Sequence, residues 1–136
     1  VQRTDKVWWL GVAFSGALMV LLGAYAAHGL ETRASAELIS AVETGVRYQA
    51  WHTLAMLAVL VWRSSCPIAG QHWVLVLWSL GIAGFSGSLY LMALAGLNLG
   101  IVTPIGGLLL VAGWLVLGGV AIGADFSARP PHNPGG

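Results

Sequence analysis

In this chain of 136 residues 57% are hydrophobic and only 8% charged, and the mean hydropathy is +0.81, so it reads as one domain with too few polar groups to face water on all sides. A net charge of +1, with no cluster of Lys or Arg to set against a row of phosphates, excludes a nucleic-acid footprint. The single cysteine, Cys66, excludes an internal disulfide and any CxxC metal or redox motif, and reads as a plain loop residue.

The first element opens on Arg3 and Lys6 and continues as an apolar run from Val7 to Ala27. It ends in Ala24-Tyr25-Ala26, which resembles a signal cleavage site, but the run of 21 residues exceeds the roughly 7–15 of a signal core. It is therefore expected to be a retained membrane span. Three further runs, about 42–62, 73–95 and 104–124, are each near the roughly 20 helical residues that cross a hydrocarbon core. The expected fold is all-α, an integral membrane four-helix transmembrane bundle occupying residues 1–126.

The second run is short of purely apolar residues: Tyr48 to Trp62 gives about 22 Å of helix, too little to span upright. It has to draw on the polar stretch before it. Ser35 is a candidate N-cap, and Leu38, Ile39, Val42 and Val46 fall at helical spacing among Glu37, Glu43 and Arg47. The alternative is a separate interfacial helix over about 35–44, broken at Gly45. The connections 63–72 and 96–103 are too short for a soluble catalytic domain, and Thr103-Pro104 reads as cap and first residue of the last helix. From Ser127 onward the Pro- and Gly-rich segment reads as a flexible C-terminal tail.

Four spans put both termini and the 63–72 loop on one side with Arg3, Lys6, Arg63 and Arg129, against Arg33 and Arg47 on the other. The positive-inside bias then places both ends in the cytoplasm, and Trp8, Trp9, Trp62 and Trp73 form an aromatic belt at that face. Helices in lipid approach closely through small residues, so Gly16 and Gly23, Gly84 with Ser88, and Gly106, Gly113, Gly119 and Gly123 read as packing seams.

The polar residues of the spans gather in the outer half: His28, Tyr48, Gln49, His52, Ser86, Ser88, Tyr90 and Thr103. Tyr48, Gln49 and His52 share one face of the second helix, while Glu43 and Arg47, one turn apart, share another. Glu43 and Arg47 suit an i,i+4 interface ion pair, or an Arg47 that holds a lipid phosphate. His28 and His52 suit hydrogen bonding to neighbouring helices, with Ser86 or Tyr90 as candidate partners for His52. They also suit a ligand site or a proton relay. A metal site would lack two ligands, so none is expected, and no cofactor is implied. Ser86 and Ser88 have no nucleophile elbow and no acidic partner, which argues against an enzyme.

The strings LGAYAAHGL (22–30), TGVRYQAWHTLAML (44–57), FSGSLYLMAL (85–94) and VTPIGGLLLVAGW (102–114), in this order, resemble the small four-span membrane proteins of the domain-of-unknown-function family 423. The resemblance implies a bacterial inner-membrane protein with a four-helix transmembrane fold. It carries the family pattern onto Gly23, His28, Tyr48, Gln49, His52, Ser86, Gly87, Ser88, Tyr90, Thr103, Pro104, Gly106 and Gly107. Ala26 stands where relatives often have Gly, which implies a slightly wider helix approach there. The resemblance brings a fold and no activity. The leading expectation is a non-enzymatic structural or accessory subunit, in contact with lipid and with other membrane subunits or with itself. The alternative is a protein that handles a small solute, proton or metal ion through the outer His/Tyr cluster.

Overall fold

A computed structural model describes residues 3–127, and the tail expected from Ser127 onward lies, after that residue, outside the described residues. Four helices follow one another, α1 (Arg3–Ala24), α2 (Ala36–Ser65), α3 (Gln71–Ala95) and α4 (Val102–Ser127), and α1 runs on into a π-helical turn at Tyr25–Gly29. The Tyr25 ring packs over Gly29 in that turn, in the place a Cβ there would occupy. Among the described residues there is no strand.

Ser35 caps α2 as its type suggests, with extended backbone and a side-chain oxygen that accepts from the Leu38 N–H at 3.3 Å. From there α2 is a single helix of 30 residues, about 45 Å long. It is not broken at Gly45. That glycine is instead a notch: a Cβ would stand 2.7 Å from Cε1 of Tyr90, which packs there from α3. The α2–α3 turn is tied by fully buried Gln71, whose Oε1 accepts from Ile68 N–H (2.9 Å) and whose Nε2 donates to the Cys66 carbonyl (3.1 Å). Gly70 precedes α3 with φ 100°, a left-handed backbone that suits glycine. Cys66 is exposed in this turn. The last helix begins at Val102, one residue before the expected cap, so Thr103 lies inside its first turn and its hydroxyl turns to Ser88 at 2.6 Å.

Three stretches are long and apolar enough to cross a membrane: Asp5–Gly29, Gln71–Ala95 and Val102–Ala124. The longest helix, α2, stands outside the set because Glu43, Arg47, Gln49 and His52 dilute its apolar run.

The helices pack in sequence, α1 on α2, α2 on α3 and α3 on α4. The most polar helix is central: Val42, Gly45, Gln49, His52, Thr53, Met56, Val59 and Leu60 of α2 are all buried. By contrast only 6% of the most apolar window of α1 is buried, against 33% of that of α3. Such an order is the reverse of a water-soluble bundle and follows from a lipid surround, where apolar faces lose nothing by exposure and polar ones must be shielded. The main core joins Met56, Val59 and Leu60 to Val12, Val74, Leu75, Trp78 and Leu110, and a smaller one joins Ala26, Leu30 and Val42.

The closest approach is between α3 and α4. A Cβ on Gly84 would stand 3.0 Å from Gly106 Cα, and one on Gly106 would press into the backbone of Gly84 and Phe85. Gly113 leaves room for the fully buried Trp78 ring, whose N–H donates to the Leu110 carbonyl at 3.2 Å. Gly23 faces Val46 at ordinary contact, 3.4 Å. A Cβ at Gly16 or Gly119 would meet no atom within 4 Å, so neither is a point of close approach within the chain.

Candidate functional site

The polar residues of the helices do not meet as one cluster; they form a seam of short, separate hydrogen-bonded groups. At its centre stands Gln49, 2% exposed, which uses its whole amide. Nε2 donates to the Ser15 carbonyl (3.0 Å) and hydroxyl (3.1 Å), and Oε1 accepts from the Tyr90 hydroxyl (2.6 Å). Ser15 Oγ in turn pairs with Thr53 Oγ1 at 2.7 Å. One glutamine therefore ties α1, α2 and α3. Thr53 follows Gln49 by four residues and so shares its face. Ser15 is the eleventh residue of the 25-residue apolar stretch Asp5–Gly29, so this group sits near the middle of the bundle rather than at either end.

His52 forms the second group, 4% exposed. Its Nδ1 lies 2.6 Å from the Tyr48 carbonyl and its Nε2 3.0 Å from Trp114 Nε1. A carbonyl can only accept and an indole N–H can only donate, so the ring is the neutral tautomer with the proton on Nδ1. Its partners are thus Tyr48 and Trp114, not the Ser86 or Tyr90 expected. Around it stand Tyr48, stacked at 11° between planes, and the rings of Trp78 and Trp114 at 5.9 and 5.8 Å.

Toward the end of the bundle that holds the α1–α2 connection, Ser86 donates to the Gly45 carbonyl (2.7 Å), and Ser88 bridges the Phe85 carbonyl (2.9 Å) and Thr103. His28 is exposed at the end of the π-helical turn and meets neither His52 nor the rest of the seam. Glu43 and Arg47 are exposed and do not bridge each other: among the described residues the one ion pair is Arg63 Nε to Asp5 Oδ1 at 3.0 Å, at the opposite end. Every buried side-chain nitrogen and oxygen among the described residues has a partner.

Two outward-facing grooves flank the seam. One, about 530 Å³, lies between α2 and α4 and is lined by Tyr48, Trp51, His52, Phe85, Val111 and Trp114 among others; the second, about 400 Å³, lies where α1, α2 and α3 meet, beside Val12, Ser15, Gln49 and Met56. No three His, Cys, Asp or Glu side chains converge among the described residues.

Sequence reasoning missed Ser15, Thr53, Trp114, Gln71 and the Asp5–Arg63 pair. Ser15 is a lone hydroxyl in an apolar helix, and such a residue has reason to face a neighbour. Trp114 carried no comparable signal.

Three long apolar helices joined to a central polar helix by neutral hydrogen bonds define a small all-α integral membrane protein. Residues 22–107 match the family described as protein of unknown function (DUF423), and the chain belongs to that family. The matched segment holds Gln49, His52, Ser86, Ser88, Tyr90 and Thr103, while Ser15 and Trp114 lie outside it. Among its relatives, the UPF0382 membrane protein SSP2132 of Staphylococcus saprophyticus is 41% identical over 113 residues, 82% of this chain and 93% of that protein. The UPF0382 inner membrane protein YgdD of Escherichia coli K12 is 39% identical over 115 residues, 84% and 88% of the two chains. A UPF0382 membrane protein of Haemophilus influenzae is 42% identical over 107 residues, 78% and 86%. No solved structure matches.

Proposed function

We propose that this protein is a non-enzymatic structural or accessory subunit of a bacterial inner-membrane assembly. The observation that carries the reading is the complete internal use of its buried polar groups: Gln49, His52, Ser86, Ser88 and Tyr90 bond to neighbouring helices of the same chain. What the molecule offers outward is apolar relief, two grooves and the exposed flanks of α1 and α4. In this reading α2 is the fourth span, with Arg47 and Glu43 toward the outer end, and the excess of Lys and Arg at the other end keeps both termini in the cytoplasm. The alternative, transport of a proton, metal ion or small polar solute, draws less support, because both nitrogens of His52 are engaged and His28 stands apart from it.

Purification from native membranes in a mild detergent tests this. A stable species larger than one chain of 14.2 kDa with its detergent is expected, and a homogeneous monomer would contradict the proposal.

A further inference from the structure

One face of α2 is left uncovered. Between the helix ends, its exposed residues are Ser40, Glu43, Arg47, Trp51, Leu54 and Ala58, continuing to Val61, at steps of three and four that keep them in a single stripe. The stripe carries the two charges that lie between the helix ends. Val46, beside Arg47, packs on Gly23, which is six residues from the end of the apolar stretch Asp5–Gly29, about 9 Å at 1.5 Å per residue. Tyr48, on its other side, packs on Phe85, ten residues or about 15 Å from the end of α3. Arg47 is thus an exposed cation well below the ends of its neighbouring spans, and Glu43, one turn further out, is an exposed anion. A charge at such depth calls for a partner. They do not pair with each other, and a lipid phosphate would answer only Arg47.

We infer that the exposed stripe of α2 is the contact face for a second copy of this chain, in a parallel two-fold dimer held at its outer half by Glu43 of each copy against Arg47 of the other. Such a dimer rests on the reading that α2 crosses the membrane, and it names the partner in that assembly. Two copies inserted with the same topology are related by an axis along the membrane normal, so their α2 helices run parallel and the interface is isologous. That rotation sets like residues level across the axis and opposite ones one turn, about 6 Å, apart in height, so the two Glu43 and two Arg47 side chains alternate in sign around the axis and each carboxylate lies within the reach of a guanidinium of the other copy. The apolar half is self-complementary in a simpler way: Trp51 (53% exposed) and Leu54 (58% exposed) supply large anchors beside a groove of about 530 Å³.

The test uses disulfide cross-linking in native membranes, with Ala58→Cys in a Cys66→Ser background and two epitope tags. The parent should cross-link to itself, and the same cysteine at Leu108, on the exposed side of α4, should not. Glu43→Arg gives a chain with two cations on the stripe and Arg47→Glu one with two anions. Each alone should lose self-cross-linking by at least about tenfold, since like charges then oppose across the interface. Co-expressed, the two should cross-link to one another at the parental level, which also shows that both fold, and the Glu43→Arg/Arg47→Glu double variant should recover self-pairing. Equal cross-linking in all the charge variants, or none in the parent, overturns the dimer. Absence of self-cross-linking together with a larger complex in mild detergent removes the second copy and leaves the accessory reading standing; absence together with a monomer removes both.

Discussion

Replacing Gly106 by alanine adds one methyl group at the tightest point of the bundle. The new Cβ would lie 2.8 Å from Phe85 Cα and closer still to Phe85 N and Gly84 C, all backbone atoms of α3 that cannot rotate away. Ordinary carbon–carbon contact requires about 3.5–4.0 Å, so α3 and α4 must part by on the order of 1 Å. Separation loosens the rest of that seam: the Ser88–Thr103 bond at 2.6 Å, the Leu110 side chain over Gly81, and the Trp78 N–H on the Leu110 carbonyl. Overpacking of this kind costs about 1–3 kcal/mol, or roughly a fivefold to 150-fold loss in the folding equilibrium. In lipid the loss is not recovered by burial elsewhere, because close packing itself drives helix association. Unfolding in mixed micelles of mild detergent with increasing SDS, followed by tryptophan fluorescence, measures the shift. Gly119→Ala is the control, since its Cβ meets open space, and should stay within about 0.5 kcal/mol of the parent. Equal stability of Gly106→Ala and Gly119→Ala would refute the packing argument.

Three further outcomes follow from the hydrogen-bond seam and the ion pair. Tyr90→Phe removes the donor to buried Gln49 Oε1 and should cost about 1 kcal/mol in the same titration, whereas no change would mean that Gln49 is held by Ser15 alone. His52→Phe keeps a ring but loses bonds to the Tyr48 carbonyl and the Trp114 indole; about 1–2 kcal/mol of destabilisation and a changed tryptophan emission are expected, and unaltered stability would count against a structural role for the histidine. Asp5→Asn breaks the half-shielded pair with Arg63 and should cost about 1 kcal/mol or less, with the difference from the parent narrowing as salt is raised; a salt-independent difference would point to packing instead of charge.

The sequence made the architecture readable because the bilayer imposes a length scale. Runs of about twenty apolar residues announced α1, α3 and α4, and the shortfall in the second run pointed to a start of α2 near Ser35, where its cap lies, while leaving a separate helix over 35–44 open. Glycine spacing identified Gly84, Gly106 and Gly113 as contact points but also named Gly16 and Gly119, which face open space, since a single sequence does not show which way a helix is turned. Gly45, legible only as a potential break, proved to be a seat for Tyr90. The polar residues were identified by type and then grouped too generously. Helical periodicity put Tyr48, Gln49 and His52 on one face, yet Gln49 reaches toward α1 and α3 and His52 toward α4. That division depends on the side-chain directions of the neighbouring helices. His28 and the Glu43–Arg47 spacing, also singled out by residue type, lie on the exterior.

The central claim is that the polar α2 crosses the membrane and brings the α2–α3 turn back to the side of the N-terminus. Labelling with a membrane-impermeant maleimide decides it, comparing Cys66, exposed in that turn, with Thr32→Cys in a Cys66→Ser background, exposed in the α1–α2 connection. In right-side-out vesicles only the cysteine at position 32 should react, and in inverted vesicles only Cys66. Reaction of both from the same side would contradict the account.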